Sequence, residues 1–135
     1  TAVRTAVFNP DSTRLASVSE DGIIKVWDVA SQTEIATLKN STGSRDLVWH
    51  PHGKLLAAGL HDGTTNIWDV DSKRVVRRFA GSDDTFCVRY TADASVLCAV
   101  GGEKELTLWD TSSTVEDNSQ DLTIQSVQKW AEEQP

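Results

Sequence analysis

The sequence contains no methionine, and its apolar residues never run on for the roughly 18 that a membrane-spanning segment needs. Its first residues do not form the charged-then-apolar leader of a secreted protein either. Cysteine occurs only at Cys87 and Cys98, too few for a disulfide framework. Both fall in predicted strands, at positions held elsewhere by Thr5, Asp46, Ala16 and Ala57, so they read as free thiols of a reducing compartment, cytoplasmic or nuclear. Positive charge is scarce, 13 Lys and Arg against 20 Asp and Glu, for a net charge of −7. That balance argues against a general nucleic-acid surface, which needs clustered cations. Much of the negative charge sits in residues 112–135, where Glu116, Asp117, Asp121, Glu132 and Glu133 face only Lys129.

What the sequence does contain is repetition. KVWDVAS at 25–31, NIWDVDS at 66–72 and TLWDTSS at 107–113 place Trp27, Trp68 and Trp109 at equal spacing, 41 residues apart. Self-similarity at a period of about 40–45 residues with a recurring Trp-Asp marks one β unit copied along the chain. At the same offset Phe8, Trp49 and Tyr90 align, as do Leu15, Leu56 and Leu97, and Asp21-Gly22 aligns with Asp62-Gly63. Because Thr1 falls inside a unit and methionine is absent, the chain reads as a piece of a longer protein.

Within each unit, short apolar runs alternate with turn residues, the pattern of β-structure. Strands are predicted at about 3–8, 14–19, 23–28 and 33–38, then at 45–49, 55–60, 64–69 and 74–79, then at 86–90, 96–100 and 105–110. Runs such as LAAGL and VLCAV are apolar at successive positions, which requires a sheet covered on both faces. Small sheets covered by copies of themselves form a stack, and a stack that closes radially is a propeller.

The pattern V-x4-F-x-P-D/H-x3-L-A-S/A-x3-D-G-x4-W-D over residues 1–111 resembles the WD40 repeat family. The resemblance implies an all-β propeller segment: repeats at 1–41, 42–82 and 83–111, followed by an acidic tail at 112–135. It also implies a blade-fixing hydrogen-bonded tetrad, to which Ser17, Asp21 and Trp27 correspond in the first copy and Asp62 and Trp68 in the second. Asp28, Asp69, Trp109 and Asp110 complete the set of implied structural positions. The copies depart from the family pattern. Asn40-Ser41 and Gly81-Ser82 stand where Gly-His is usual, Ala58 and Ala99 replace the tetrad Ser, and Glu103-Lys104 replaces Asp-Gly. Trp68 and Trp109 must therefore find other acceptors, since an unpaired buried indole N–H is costly.

The third copy breaks pattern after Trp109-Asp110, where EDNSQ stands in place of an outer strand. Either that strand is delayed to LTIQSVQ at 122–128, or it comes from elsewhere, as in a ring-closing blade. The segment 121–135 also fits a short helix capped by Asp121, packed on the ring or docking a partner. Three blades are too few for a closed ring of four to eight, so completion by other blades is expected, from the parent chain, a partner or a second copy.

Candidate chemistry is sparse. His50 and His52 lie in the turn after a first strand and His61 in the turn after a second, at opposite ends of a blade, out of reach of one metal ion. No Ser is placed by pattern beside His61, and Gly101-Gly102 leads into no helix that would cradle phosphate. No catalytic, cofactor or metal residues are predicted. Lys73, Arg74, Arg77 and Arg78 form the one basic cluster, on an outer strand where charge guards a free edge; its alternative role is binding RNA or phosphate. The resemblance implies a non-catalytic scaffold for a multiprotein complex, with RNA only as an indirect partner, or else the regulatory portion of a larger enzyme. Its partner-binding rim would hold Arg4, Glu20, Arg45, His61, Asp83, Asp84, Phe86 and Lys104.

Overall fold

The computed structural model describes residues 1–81, 84–102 and 106–112, with the backbone of Asp121 and Leu122. Every regular element among the described residues is a strand, and the strands form three four-stranded antiparallel sheets. The first sheet runs β1 (Val3–Phe8), β2 (Arg14–Ser19), β3 (Ile23–Asp28) and β4 (Thr33–Lys39). The second runs β5 (Ser44–Trp49), β6 (Leu55–Leu60), β7 (Thr64–Asp69) and β8 (Arg74–Ala80). The third comprises β9 (Thr85–Tyr90), β10 (Val96–Gly101), β11 (Leu106–Asp110) and β12 (Asp121–Leu122). Each sheet is a simple meander in chain order, and the first strands β1, β5 and β9 pack side by side. This is an open, partial propeller of three blades.

The copied residues dictate the copied geometry. Asp62 Oδ1 accepts hydrogen bonds from Thr64 N (3.0 Å) and Thr64 Oγ1 (2.6 Å), bending the chain between β6 and β7. Gly63 beside it has φ +87°, and Gly22 in the first copy has φ +84°, a conformation that favours glycine. At the opposite end each Trp-Asp aspartate closes the strand that carries it. Asp28 accepts from Ser31 N at 2.9 Å, Asp69 from Asp71 N at 3.0 Å and Asp110 from Ser112 N at 2.9 Å. The ladder slips by one residue just before Trp27 and again just before Trp68, so the same bulge recurs with the same motif.

The third sheet differs from the expectation of three strands. β12 pairs antiparallel with β11, Leu108 opposite Leu122 and Trp109 opposite Asp121. An outer strand is thus described at Asp121–Leu122, at the edge of the segment 122–128 where one reading placed a delayed strand. Asp121 and Leu122 stand in the ladder with β11. The remainder of the predicted helix or late strand, at 123–135, lies outside the described residues.

Burial follows position in the stack. β6 and β7 of the middle blade are buried at nearly every position, on both faces. One core cluster joins the first blade to the second through Ala16, Val18, Ile24 and Val26 against Leu47, Trp49, Leu56 and Trp68. A second joins the second blade to the third through Ala57, Ile67 and Phe79 against Val88, Leu97 and Trp109. Phe79 and Trp109 stack with ring centroids 5.0 Å apart. The two-sided hydrophobicity of LAAGL therefore has a direct cause: this strand has a neighbouring blade on each side.

Candidate interaction surface

The turns between second and third strands and the segments leading into β1, β5 and β9 share one rim. His61 N donates to the Gly43 carbonyl at 2.9 Å, and Glu20 N to the Ala2 carbonyl at 3.0 Å. Gly43 is wedged between Glu20 and His61. A Cβ built there would lie 2.3 Å from the Glu20 carbonyl oxygen and 2.8 Å from the His61 ring, so the close approach of the two blades requires glycine. Arg4 forms an ion pair with Glu20 within the first blade.

The most developed cluster spans the seam between the second and third blades. The Arg45 guanidinium lies over the Phe86 ring, 4.6 Å from its centroid, and its Nη2 sits 3.5 Å from Asp84 Oδ2. Phe86 remains 41% exposed. Below it, Asp46 Oδ2 accepts from Val88 N at 2.9 Å and from Arg89 Nη1 at 2.5 Å, latching the second blade to the third. A cation held against an exposed aromatic face is attractive in water, and here both partners are fixed on rigid strands. Of the predicted rim residues the structure thus unites Arg45, Asp84 and Phe86, pairs Arg4 with Glu20, and sets His61 against Gly43. Asp83 and Lys104 lie outside the described residues.

The other histidines occupy the opposite rim. His50 and His52 are 4.8 Å apart between ring centroids, and His50 meets Tyr90 edge-on at 5.0 Å. Burial and the neighbouring His52 lower the pKa of His50, and burial pushes Tyr90 up to about 12. Arg14 and Asp71 bridge the first two blades on that side at 3.2 Å. Cys87 and Cys98 are free thiols, and burial raises both pKa values.

Strand geometry divides the basic cluster. Arg77 and Arg78 are consecutive in β8 and so point to opposite faces. Arg77 lies over the Phe79 ring at 4.8 Å, on the side of the third blade, while Arg78 Nε donates to Asn66 Oδ1 at 3.0 Å on the side of the first. Lys73 sits in the turn before the strand with φ 59°, and Arg74 pairs in register with Asp69. The four cations do not form one surface.

The blade-fixing positions also differ from the implied tetrad. Ser17 and Trp27 line a hollow on the open face of the first blade. Asp21 takes its hydrogen bonds from Ser19, Thr1 and Ile23, not from Ser17. Asn40, which the sequence shows only as a departure from the family's Gly-His pair, takes over the tethering of the neighbouring indole. Its Oδ1 accepts from Trp68 Nε1 at 2.9 Å and from Asn66 Nδ2 at 3.0 Å. Among the described residues no acceptor meets Trp109 Nε1.

Comparison with known proteins accords with this geometry. Residues 34–93 match the family model described as the anaphase-promoting complex subunit 4 WD40 domain, and residues 1–28 match the WD domain, G-beta repeat. No match was found among curated proteins. Among solved structures, the WD40 domain of Toxoplasma gondii coronin superimposes with a TM-score of 0.74 at 22% sequence identity. The superposition takes in 81% of this chain and 31% of the coronin chain, so the present chain spans about a third of the length of that relative. The three blades, the spaced Trp-Asp pairs and the two family models together make the chain a member of the WD40 repeat family.

Proposed function

We propose that the chain is a non-catalytic platform that helps to assemble a multiprotein complex, its partner docking on the rim around Arg45, Asp84 and Phe86. WD40 propellers generally serve as protein-interaction scaffolds, and one matching family model describes a subunit of such a complex. The observation that carries the reading is the cluster itself. An arginine ion-paired with Asp84 lies over an exposed phenylalanine, on two blades latched together by Asp46 and Arg89. Aromatic and arginine side chains dominate the energetics of protein interfaces, and holding them on strands lowers the ordering cost of binding. An intracellular setting suits the two free thiols.

The test is affinity capture at physiological salt with the wild-type chain, an Arg45→Glu/Phe86→Ser variant and an Arg74→Glu/Arg78→Glu variant. The rim variant should lose the captured proteins and the strand variant should keep them. Capture that depends on the basic strand, or that nuclease treatment abolishes, would refute the reading.

A further inference from the structure

The turns that join the first and second strands of the three blades occupy aligned positions, and their side chains close them differently. In the first blade Asn9 Oδ1 accepts from Arg14 N at 2.9 Å, and Asp11 Oδ1 from Thr13 N at 3.0 Å. In the third, Thr91 Oγ1 accepts from Val96 N at 3.1 Å, and Asp93 Oδ1 from Ser95 N at 3.0 Å. The second blade places histidine at both aligned positions, His50 and His52. There the acceptor is an imidazole: His50 Nδ1 takes the backbone N–H of His52 at 3.1 Å. A ring nitrogen accepts a hydrogen bond only while it is unprotonated. This turn, unlike its two copies, is therefore closed by a group that titrates near neutral pH.

His50 also sits where a positive charge is poorly accommodated. Its ring is half-buried where the second blade meets the third, edge-on to Tyr90 and tilted against His52. The titratable groups around it come from several elements. His52 and the exposed Lys54 share its turn, and Tyr90 faces it from β9. Behind Tyr90 stands Arg77 of β8, whose charge reaches both Tyr90 and Asp110 of β11. From the first blade Pro10 and Asn9 approach Gly53, and Asp11 on that turn is engaged by Thr13. Among the described residues no carboxylate pairs with either histidine ring. A proton gained at His50 Nδ1 would set two donors against each other and meet no compensating anion. Burial, and then the neighbouring His52, hold the His50 pKa below its ordinary 6.5.

We propose that the turn at 50–53 is a pH-sensitive clasp: protonation of His50 releases the His52 N–H and loosens the second blade's contact with Tyr90 of the third. Because the folded-state value lies below the unfolded one, the clasp adds stability that is present above about pH 6.5. That stability is lost as pH falls through the lowered folded value. The aligned turns keep their bonds throughout this range, since hydrogen bonds from Thr13 and Ser95 hold Asp11 and Asp93 below the ordinary 3.8. Tyr90, pushed up to about 12 by burial, stays neutral as well. Acid sensitivity is thus confined to the middle turn, on the rim opposite Arg45 and Phe86, and stands apart from partner binding there.

The experiment follows the histidine ring resonances and the His52 amide of the full chain by NMR, from about pH 8 to about pH 5. His50 should titrate below 6.5, and the His52 amide should shift with the same midpoint as its hydrogen bond is lost. Urea unfolding at about pH 7.5 and about pH 5.5 then compares the wild type with His50→Asn/His52→Asp. That variant gives the second turn the residues that the first turn carries. The wild-type midpoint should fall on acidification, and the variant's should fall less. His61 is common to both chains, so the difference isolates the turn. A His50 value at or above 6.5, a His52 amide indifferent to that titration, or equal losses in the two chains would each overturn the proposal. The NMR readings use the wild-type chain and decide the matter even where the variant folds poorly.

Discussion

Asn40 and Trp68 are joined by a hydrogen bond from the indole Nε1 to the amide oxygen, 2.9 Å long, 28 residues apart in the chain. The same oxygen receives Asn66 Nδ2, and Asn40 Nδ2 donates to the Gly22 carbonyl at 2.9 Å. One side chain thus ties the tight turn of the first blade to the third strand of the second. Replacing it by Ala strands a largely buried indole N–H and a buried amide. Asn40→Ala should cost about 1–3 kcal/mol in urea unfolding, and Trp68 emission should shift to the red. An unchanged midpoint would show that the bond contributes nothing to blade packing.

Two glycines with nearly equal dihedrals separate backbone strain from steric conflict. Gly53 has φ +80° and open space around a built Cβ, its nearest contact being Pro10 Cδ at 3.5 Å. Its aligned positions carry Ser12 and Ala94 at φ 62° each, so the site tolerates a side chain. Gly53→Ala should cost only the left-handed penalty of about 1–2 kcal/mol. Gly22 has φ +84°, but a Cβ there would lie 2.1 Å from the Thr42 carbonyl oxygen. Gly22→Ala should therefore be clearly the more damaging of the two in thermal melts, and equal losses would contradict that steric account.

Aligned leucines should respond according to their place in the stack. Leu56 is fully buried between two blades, so Leu56→Ala should cost about 2–5 kcal/mol. Leu15 faces the open side, and at sub-micromolar concentration Leu15→Ala should cost no more than about 1.5 kcal/mol. Denaturant curves on both variants test the ordering directly.

Turn aspartates set the acid limb of stability. Hydrogen bonds from Ser19 and Thr1 hold Asp21 at about 2, below its ordinary 3.8, and Ser95 and then Thr91 hold Asp93 at about 2. A depressed folded-state pKa contributes stability that is present above pH 4 and lost as pH falls through the folded value. The melting temperature should therefore decline between about pH 4 and pH 2. Asp93→Asn should flatten part of that decline, and a slope identical to wild type would show that this turn contributes none of it.

Local patterns were legible in the sequence, and contacts between blades were not. Strands β2, β3, β6 and β7 appear where the copied apolar runs and Asp-Gly turns place them, because period, turn chemistry and burial agree there. Asn40 stood in the sequence only as a departure from the family's Gly-His, because its function depends on Trp68 and Asn66 arriving from the next blade. The division of Arg77 from Arg78 was available from the two-residue period of a strand. The Asp46–Arg89 latch and the meeting of Arg45 with Phe86 join residues about one repeat apart, and only the stacking of blades brings them together.

The most direct measurement of the functional claim is hydrogen–deuterium exchange on the chain, alone and with a partner obtained by rim-dependent capture. Protection concentrated at the start of β5 around Arg45 and at Asp84–Phe86, with β8 unchanged, is the predicted result. Protection confined to residues 73–78, with the rim exchanging as in the free chain, would contradict it.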